Sequence, residues 1–394
     1  MNAKTPKIMI LYASYGDGHY RASKAIEAGF RSRGIRDVVL LDLMAEAHPR
    51  LNELTKFIYL TSFKALPSLY GWIYNVTKDL RIGATFLRAV NSIGSGTLKK
   101  AISRHQPDLV IHTFPQLALP DLIERASLSL PLVNVITDFD VHARWLHAGV
   151  DRYYVATEDM KREMIERGVP EERVLVSGIP LRPDFRCDGN SPAVSGIGHA
   201  LNPNKKTILL MAGASGVMQG NRDICEALLA GGNYQVLAVC GRNEELYQKL
   251  ALQFGDHPDF HLFGFVDEVA EFMLASDCII TKPGGITLSE ALACRLPLFL
   301  YRPVPGQELN NARYLENKGI ARIARDPRSL HAGIDALLQD SRQLARVSAN
   351  MENLRKPMAA EVIVNDILDQ WFQPASCKPS PVQIGSAHPR LVIH

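Results

Sequence analysis

Short apolar runs alternate along this chain with longer stretches in which apolar residues recur at helical spacing. The runs are rich in Val, Ile and Leu, a composition typical of strands buried on both faces of a parallel sheet. Residues 18–33 and 361–372 have the period of amphipathic helices. Strands that alternate with helices predict a doubly wound α/β fold. The predicted strands are residues 7–13, 37–42, 108–112, 132–137, 153–156, 207–212, 235–240, 261–263, 278–281 and 297–301.

The alternation stops at residues 183–204, where Asp, Gly, Asn, Ser and Pro cluster without periodicity, and then restarts. At 394 residues the chain is too long for one core of ordinary size. We therefore predict two Rossmann-like domains that face each other across a cleft, residues 1–182 and 205–360, joined by a linker at 183–204. A C-terminal helix at 361–373 follows, and the Pro-, Ser- and Gly-containing tail 374–394 is predicted to be disordered.

Composition indicates a globular protein of the cytoplasm. Hydrophobic residues make up 46% of the chain and charged residues 22%. No apolar stretch reaches the roughly 18 to 20 residues that cross a bilayer, and the first residues lack the flanks of a secretory signal. The six cysteines have neither metal-ligand spacing nor the density of a disulfide scaffold, so we expect reduced thiols.

Positive charge is concentrated in one segment of the N-terminal half. Residues 50–104 contain nine basic and two acidic residues, interleaved with aromatic ones. Such a segment can rest on an anionic membrane surface, where basic groups attract lipid head groups and rings enter the interface. Packing in an ordinary core is the alternative, and nucleic acid is not expected because no RNA- or DNA-binding motif is present. The candidate membrane residues are Tyr70, Trp72, Lys78, Arg81 and Arg88.

A glycine pair follows the predicted strand at 278–281, in the segment KPGGITLSE at 282–290. Gly284 and Gly285 have no side chains, so backbone N–H groups can approach an anion. We expect Thr287 to open a helix whose positive end faces that anion. Glu290, one turn further, is placed to bind a ribose attached to a phosphate.

A second polar segment, PGQELNN at 305–311, follows the next predicted strand. Gln307, Glu308 and Asn311 offer donors and acceptors suited to sugar hydroxyls. Carboxyl ends of neighbouring parallel strands meet at one sheet edge, so the two segments together predict a nucleotide-sugar site. Each segment alone could be a plain strand-to-helix turn or a solvated helix start.

Each predicted domain begins with a glycine-bearing turn after its first strand. In the second domain the turn includes Gly213, Ser215 and Gly216, whose small size allows backbone amides near a diphosphate. In the first it includes the sequence GDGH, which ends at His19. A histidine titrates near neutrality and can take a proton from an alcohol, so His19 is the leading catalytic candidate; a hydrogen-bonded loop residue is the alternative. A P-loop is excluded because no Lys-Ser/Thr follows at the required spacing.

These motifs, in this order, resemble the processive diacylglycerol glucosyltransferases and the related monogalactosyldiacylglycerol synthases. The resemblance runs from about residue 7 to 370 and includes GDGHYRAS at 16–23, TDF at 137–139, YVAT at 154–157, SGIP at 177–180 and TKPGG at 281–285. It implies the GT-B fold and an inverting transfer of a hexose from a UDP-sugar to 1,2-diacylglycerol, processive in some relatives, by a protein bound peripherally to the inner face of the cell membrane.

The resemblance also implies residue roles. His19 corresponds to the proposed base, and Asp138 to an acceptor-side or His-orienting residue. His142 and Trp145 correspond to walls of the acceptor pocket. For the donor, it implies a ribose ligand at Glu290, a diphosphate loop at Gly213, Ser215 and Gly216, uracil contacts at Phe265 and Val266, and sugar contacts at Gln307, Glu308 and Asn311.

No metal and no essential cofactor are expected, because the helix end after Gly284 and Gly285 would stabilise the departing diphosphate. The sequence 138–140 spells D-x-D, a metal-binding signature of another glycosyltransferase fold, but it lies in the predicted acceptor domain. Three alternatives stay open at this stage. They are a peptidoglycan-precursor N-acetylglucosaminyltransferase acting on an undecaprenyl-linked acceptor, a UDP-sugar 2-epimerase and a non-catalytic UDP-sugar sensor. The sequence does not distinguish glucose from galactose.

Overall fold

The structure, a computed structural model, describes most of the chain. The chain divides into two compact units, one of residues 1–182 with 358–394 and the other of residues 183–357. The residues described are 5–14, 17–47, 71, 74, 95–115, 119, 122, 129–186, 201–214, 216 and 218–373.

The first unit contains a parallel sheet in the order β2-β1-β3-β4-β5-β6. Its strands are β1 Ile8–Tyr12, β2 Val38–Asp42, β3 Leu109–His112, β4 Leu132–Val135, β5 Arg152–Val155 and β6 Val174–Val176. The helices that the structure describes from end to end before the crossover to the second unit are α1 Asp17–Ser32, α2 Leu43–Ala47, α3 Ser95–His105 and α4 Glu158–Glu166. In register, Ile8 pairs with Val38 on one side and with Leu109 on the other. The strand order therefore reverses between β1 and β3.

The second unit repeats this plan with the order β12-β11-β10-β7-β8-β9. Its strands are β7 Lys206–Met211, β8 Tyr234–Val239, β9 Phe260–Phe263, β10 Cys278–Thr281, β11 Leu298–Tyr301 and β12 Ala321–Ala324. Its helices are α5 Asn221–Leu229, α6 Glu244–Phe254, α7 Val269–Leu274, α8 Gly285–Ala293, α9 Gln307–Asn317, α10 Pro327–Leu338 and α11 Ser341–Leu354. Here the order reverses between β7 and β10.

Burial explains why apolar runs form these strands. All residues of β3, β4, β10 and β11 are buried, as expected for parallel strands covered on both faces. The predicted α/β fold with two doubly wound sheets is confirmed, and each of the ten predicted strands overlaps an observed one. Strands β6 and β12 were not predicted.

The last helix, α12 Ala359–Ile367, continues as one π-helical stretch, Leu368–Phe372, and belongs to the first unit. Its Ile363, Val364 and Ile367 share a buried core with Ile26 and Phe30 of α1. Asp366 accepts hydrogen bonds from Arg152 Nε at 2.9 Å, Arg152 Nη2 at 2.8 Å and Tyr154 Oη at 2.6 Å. The chain thus returns to the first sheet after completing the second unit.

Within the part of the chain that the structure describes, every helix falls short of the length and apolar character that spanning a bilayer requires.

Candidate active site

His19 lies at the reversal of strand order in the first sheet. It is in the first turn of α1, which follows β1, and its ring reaches the residue that follows β3. In open parallel sheets the carboxyl ends of two strands separate at such a reversal and leave a crevice for ligands. The fold therefore places the predicted catalytic residue where α/β proteins bind substrates.

Two groups hold the imidazole of His19. Its Nδ1 is 2.7 Å from the carbonyl oxygen of Thr113 and 3.0 Å from Oγ1 of Thr137. Because a carbonyl oxygen only accepts hydrogen bonds, Nδ1 carries the proton in the neutral ring. The lone pair of the neutral ring is then on Nε2, the nitrogen that can act as a base.

The surroundings shift the pKa of His19 in opposing directions. Burial has the largest effect and lowers the pKa of His19 from its ordinary value of 6.5. The negative charge of Asp138 and the hydrogen bond to the Thr113 carbonyl raise the pKa, but the net shift is downward. The ring is therefore neutral at physiological pH. Asp138, itself buried, lies close enough to influence the base through its charge.

A pair of buried hydroxyls supports the same corner of the site. Ser23 Oγ donates to the backbone carbonyl of His19 at 2.9 Å and lies 2.9 Å from Thr113 Oγ1. Ser23 and Thr113 are both fully buried. Sequence reasoning assigned no role to Thr113, because a threonine after an apolar strand has no distinguishing pattern.

The predicted acceptor residues His142 and Trp145 are buried in the loop that follows β4. His142 Nδ1 accepts from the backbone N–H of Arg144 at 3.1 Å and so caps a short 3₁₀ turn. Its ring lies edge-on to Tyr74, with centroids 4.8 Å apart, and Tyr74 Oη donates to Asp140 at 3.1 Å. One aromatic residue of the basic segment 50–104 therefore contacts the predicted acceptor region.

In the second unit the predicted diphosphate loop follows β7, at the other reversal of strand order. Gly216 has φ +57°, and an added Cβ would lie 2.3 Å from Asn243 Cβ and 2.4 Å from the Cys240 carbonyl oxygen. Asn243 also donates from Nδ2 to the Gly216 carbonyl at 2.8 Å. Only glycine fits here, because the loop after β8 presses against the loop after β7.

The predicted phosphate-binding helix follows β10, the neighbour of β7. Helix α8 begins at Gly285, two residues before Thr287, so the expectation that Thr287 opens the helix is wrong. The reason is that Gly284 already takes the extended N-cap conformation. An added Cβ at Gly284 or Gly213 would have no heavy atom within 4 Å, so both glycines border open space. Glu290 is buried in the second turn of α8.

Side chains link the two polar segments of the sequence. Lys282 Nζ is 2.7 Å from Glu308 Oε1, and Glu308 Oε2 accepts the backbone N–H of Val304 at 3.1 Å. The buried Asn311 donates from Nδ2 to the Pro283 carbonyl at 3.2 Å. These contacts hold the N-terminus of α9, where Gln307 is the first residue, beside the loop that precedes α8. Sequence reasoning gave Lys282 no role.

The predicted uracil contacts follow β9 in the same unit. Phe265 is 40% exposed, and the guanidinium carbon of Arg242 lies 4.4 Å from its ring centroid. The backbone N–H of Gly241 donates to the Gly264 carbonyl at 3.1 Å, which joins the loops after β8 and β9. Phe265 and Val266 thus stand at the same sheet edge as the two glycine loops, where the side chain of Phe265 is partly exposed.

Some predictions fall on residues outside those that the structure describes. They are Ser215, Tyr70, Trp72, Lys78, Arg81 and Arg88, together with the tail 374–394. Among the residues described, no three His, Cys, Asp or Glu side chains cluster as ligands for a metal ion.

Two family models match long stretches of this chain. Residues 19–181 match the family model for monogalactosyldiacylglycerol (MGDG) synthase, and residues 208–363 match the glycosyltransferase family 28 C-terminal domain. A processive diacylglycerol beta-glucosyltransferase of Bacillus thuringiensis (strain Al Hakam) is 41% identical over 371 residues, which are 93% of this chain and 94% of the relative.

Two solved structures share the fold at low identity. The S. aureus MnaA-UDP co-structure superposes with a TM-score of 0.62 at 17% identity and covers 92% of this chain and 96% of its own. The structure of Acinetobacter baumannii MurG has a TM-score of 0.61 at 16% identity and covers 92% of this chain and 99% of its own. On the strength of the 41% identity over nearly its whole length, this chain belongs to the processive diacylglycerol beta-glucosyltransferase family and is a glycosyltransferase with the GT-B fold.

Proposed function

We propose that this protein transfers glucose from UDP-glucose to 1,2-diacylglycerol and forms a β-glycosidic bond. The observation that best supports the donor site is the position of two glycine loops at one reversal of strand order, after β7 and β10. Both loops border open space, and α8 begins at one of them with backbone N–H groups that suit a diphosphate. The relatives' printed activity supports diacylglycerol as the acceptor.

In the proposed reaction, His19 is the general base. Its Nε2 takes the proton of the acceptor hydroxyl while that oxygen attacks C1 of the sugar. The bond between C1 and the phosphate oxygen breaks, and its electron pair leaves with UDP. Attack opposite the leaving group inverts the α-linked donor to a β-linked product. The Thr113 carbonyl and the charge of Asp138 favour the imidazolium that forms.

Negative charge grows on the departing diphosphate in this mechanism. The positive end of α8 is suited to stabilise it, and Lys282 lies in the adjacent loop, where the carboxylate of Glu308 offsets its charge. We propose no essential cofactor, because the start of α8 can stabilise the departing diphosphate in place of a metal ion. Transfer that persists in excess EDTA would support this point, and transfer that stops and returns with a divalent ion would contradict it.

A direct assay tests the function. Purified protein is incubated with diacylglycerol liposomes and radiolabelled UDP-glucose, UDP-galactose or UDP-N-acetylglucosamine, and the lipids are separated. We expect labelled glucosyl-diacylglycerol with a β anomeric signal by NMR. Diglucosyl product at longer times would support processive transfer. Labelled lipid with galactose alone would correct the donor, and no labelled lipid with any donor would refute the function.

We also propose that the segment 50–104 rests on the cytoplasmic face of an anionic membrane. Its nine basic and two acidic residues support this, as do Lys99 and Lys100, which are exposed on α3. Flotation with liposomes of rising anionic lipid content tests the idea. Binding that does not depend on anionic lipid would refute it. Nucleic acid is not a proposed partner.

A further inference from the structure

The hydroxyl of Thr137 completes a three-membered hydrogen-bond group around His19. Thr137 Oγ1 lies 3.0 Å from Nδ1 of His19 and 3.5 Å from the Thr113 carbonyl oxygen. A hydroxyl has one proton and two lone pairs, so Oγ1 can accept from Nδ1–H while it donates to the carbonyl. Both acceptors of the ring proton are then fixed with respect to each other.

The two acceptors come from neighbouring strands. Thr113 follows β3 and Thr137 lies two residues beyond the end of β4, whereas His19 is on the helix that follows β1. Thr137 is 3% exposed and Thr113 is fully buried, so neither group has room to change its position freely. The ring is therefore held from two strand ends, at the edge of the crevice in the first sheet.

From this geometry we infer that Thr137 is a positioning residue for His19: it shares the ring proton with the Thr113 carbonyl, which supports the Nδ1–H tautomer, and it fixes the direction in which Nε2 points. The inference rests on the proposed role of His19 as the base. A residue after β4 thereby performs the task that an orienting carboxylate performs in many histidine-dependent enzymes. Asp138, the next residue along the chain, acts on the same ring through its charge.

The alternative is that the Thr113 carbonyl alone sets the tautomer and that Thr137 only fills space. The two possibilities differ in what the hydroxyl contributes. Thr137→Val removes the hydroxyl and keeps the branched shape, and Thr137→Ser keeps the hydroxyl and removes the methyl group. If the hydroxyl is required, Thr137→Ser keeps the activity that Thr137→Val loses. If the role of Thr137 is purely steric, Thr137→Val keeps the activity and Thr137→Ser loses it.

Kinetics provide the first readout. Loss of one buried neutral hydrogen bond should lower kcat about tenfold in Thr137→Val, with KM for UDP-glucose unchanged because the donor loops lie in the other unit. Thr137→Ser should retain kcat within about twofold. Equal kcat in the wild type and Thr137→Val would overturn the inference, as would a larger loss in the serine variant.

The second readout does not depend on activity. Nitrogen-15 NMR of histidine-labelled free protein reports which ring nitrogen carries the proton, and the His19 signals are assigned by their absence in His19→Gln. We expect Nδ1–H in the wild type and in Thr137→Ser, and a mixture of tautomers in Thr137→Val. An Nε2–H tautomer in the wild type would overturn the inference without any variant. If the wild type transfers no sugar but its tautomers differ from those of Thr137→Val as expected, the proposed function fails and the positioning role stands.

Discussion

Replacing Gly284 with alanine tests whether the donor diphosphate lies against the start of α8. Gly284 is the N-cap of α8, with φ −75° and ψ 133°, angles that alanine adopts without strain. An added Cβ would have no heavy atom within 4 Å. The substitution therefore adds one methyl group to open space and creates no close contact in the unliganded protein.

The substitution should change the affinity for UDP more than it changes the free energy of unfolding. Alanine restricts the unfolded chain more than glycine, which raises the free energy of unfolding by about 0.4–1 kcal/mol, and it is a poorer N-cap by a similar amount. These effects offset each other, so stability should change by less than about 1 kcal/mol. A phosphate displaced by the methyl group loses a charge-assisted hydrogen bond worth about 1.5–3 kcal/mol, which weakens UDP binding about 10- to 150-fold.

Isothermal titration of UDP and thermal unfolding are measured on the same purified samples. Gly96→Ala is a matched control, because an added Cβ there also meets no heavy atom within 4 Å and the residue lies on α3 of the other unit. It should bind UDP normally. Gly216→Ala is the opposite control, since contacts of 2.3 and 2.4 Å should destabilise the protein by more than about 3 kcal/mol. An unchanged UDP affinity in stable Gly284→Ala would refute the diphosphate position.

Three further predictions concern the base, the ion pair and the last helix. His19→Ala should lower turnover on the order of 100-fold with UDP binding intact. In the wild type, the loss of rate on acidification should have its midpoint below pH 6.5, because only the neutral ring accepts a proton and burial lowers the pKa of His19. Asp138→Asn should move that midpoint to lower pH, and a midpoint that moves to higher pH would contradict the charge effect. Lys282→Met and Glu308→Gln should each weaken UDP-glucose binding roughly fivefold by calorimetry, as expected for about 1 kcal/mol. Exchanging the two charges should restore binding if the pair only joins the loops, and failure to restore it would indicate that Lys282 or Glu308 also contacts the donor. Asp366→Ala should lower the free energy of unfolding by about 3 kcal/mol in urea titrations, because it removes the carboxylate that pairs with the partly buried Arg152. A loss below about 1 kcal/mol would show that this ion pair contributes little to the stability of the first unit.

Local patterns were enough to predict most strands and both glycine loops. The run Cys278–Thr281 could be assigned because it is apolar and ends at a Pro-Gly-Gly turn. Strand β6 has only three residues, Val174–Val176, too few to show a period. Strand β12, Ala321–Ala324, includes an arginine and two alanines, residues with little preference for strands.

The part of the site that could not be predicted depends on contacts between distant residues. His19 and Thr113 are 94 positions apart, and His19 and Thr137 are 118 apart. Nothing in the local sequence indicates that a backbone carbonyl, and not Asp138, would accept the ring proton. The Lys282–Glu308 pair was hidden for the same reason, although both residues belong to recognised motifs.

The return of α12 to the first sheet has a consequence for how the protein is made. The ribosome synthesises residues 183–357 between the two parts of the first unit. Until α12 emerges, Ile26 and Phe30 of the nascent chain have no cover from Ile363 and Val364. The first unit therefore cannot complete its folding until the last segment has been synthesised. A translation product that stops before residue 358 would expose an apolar surface that chaperones can bind.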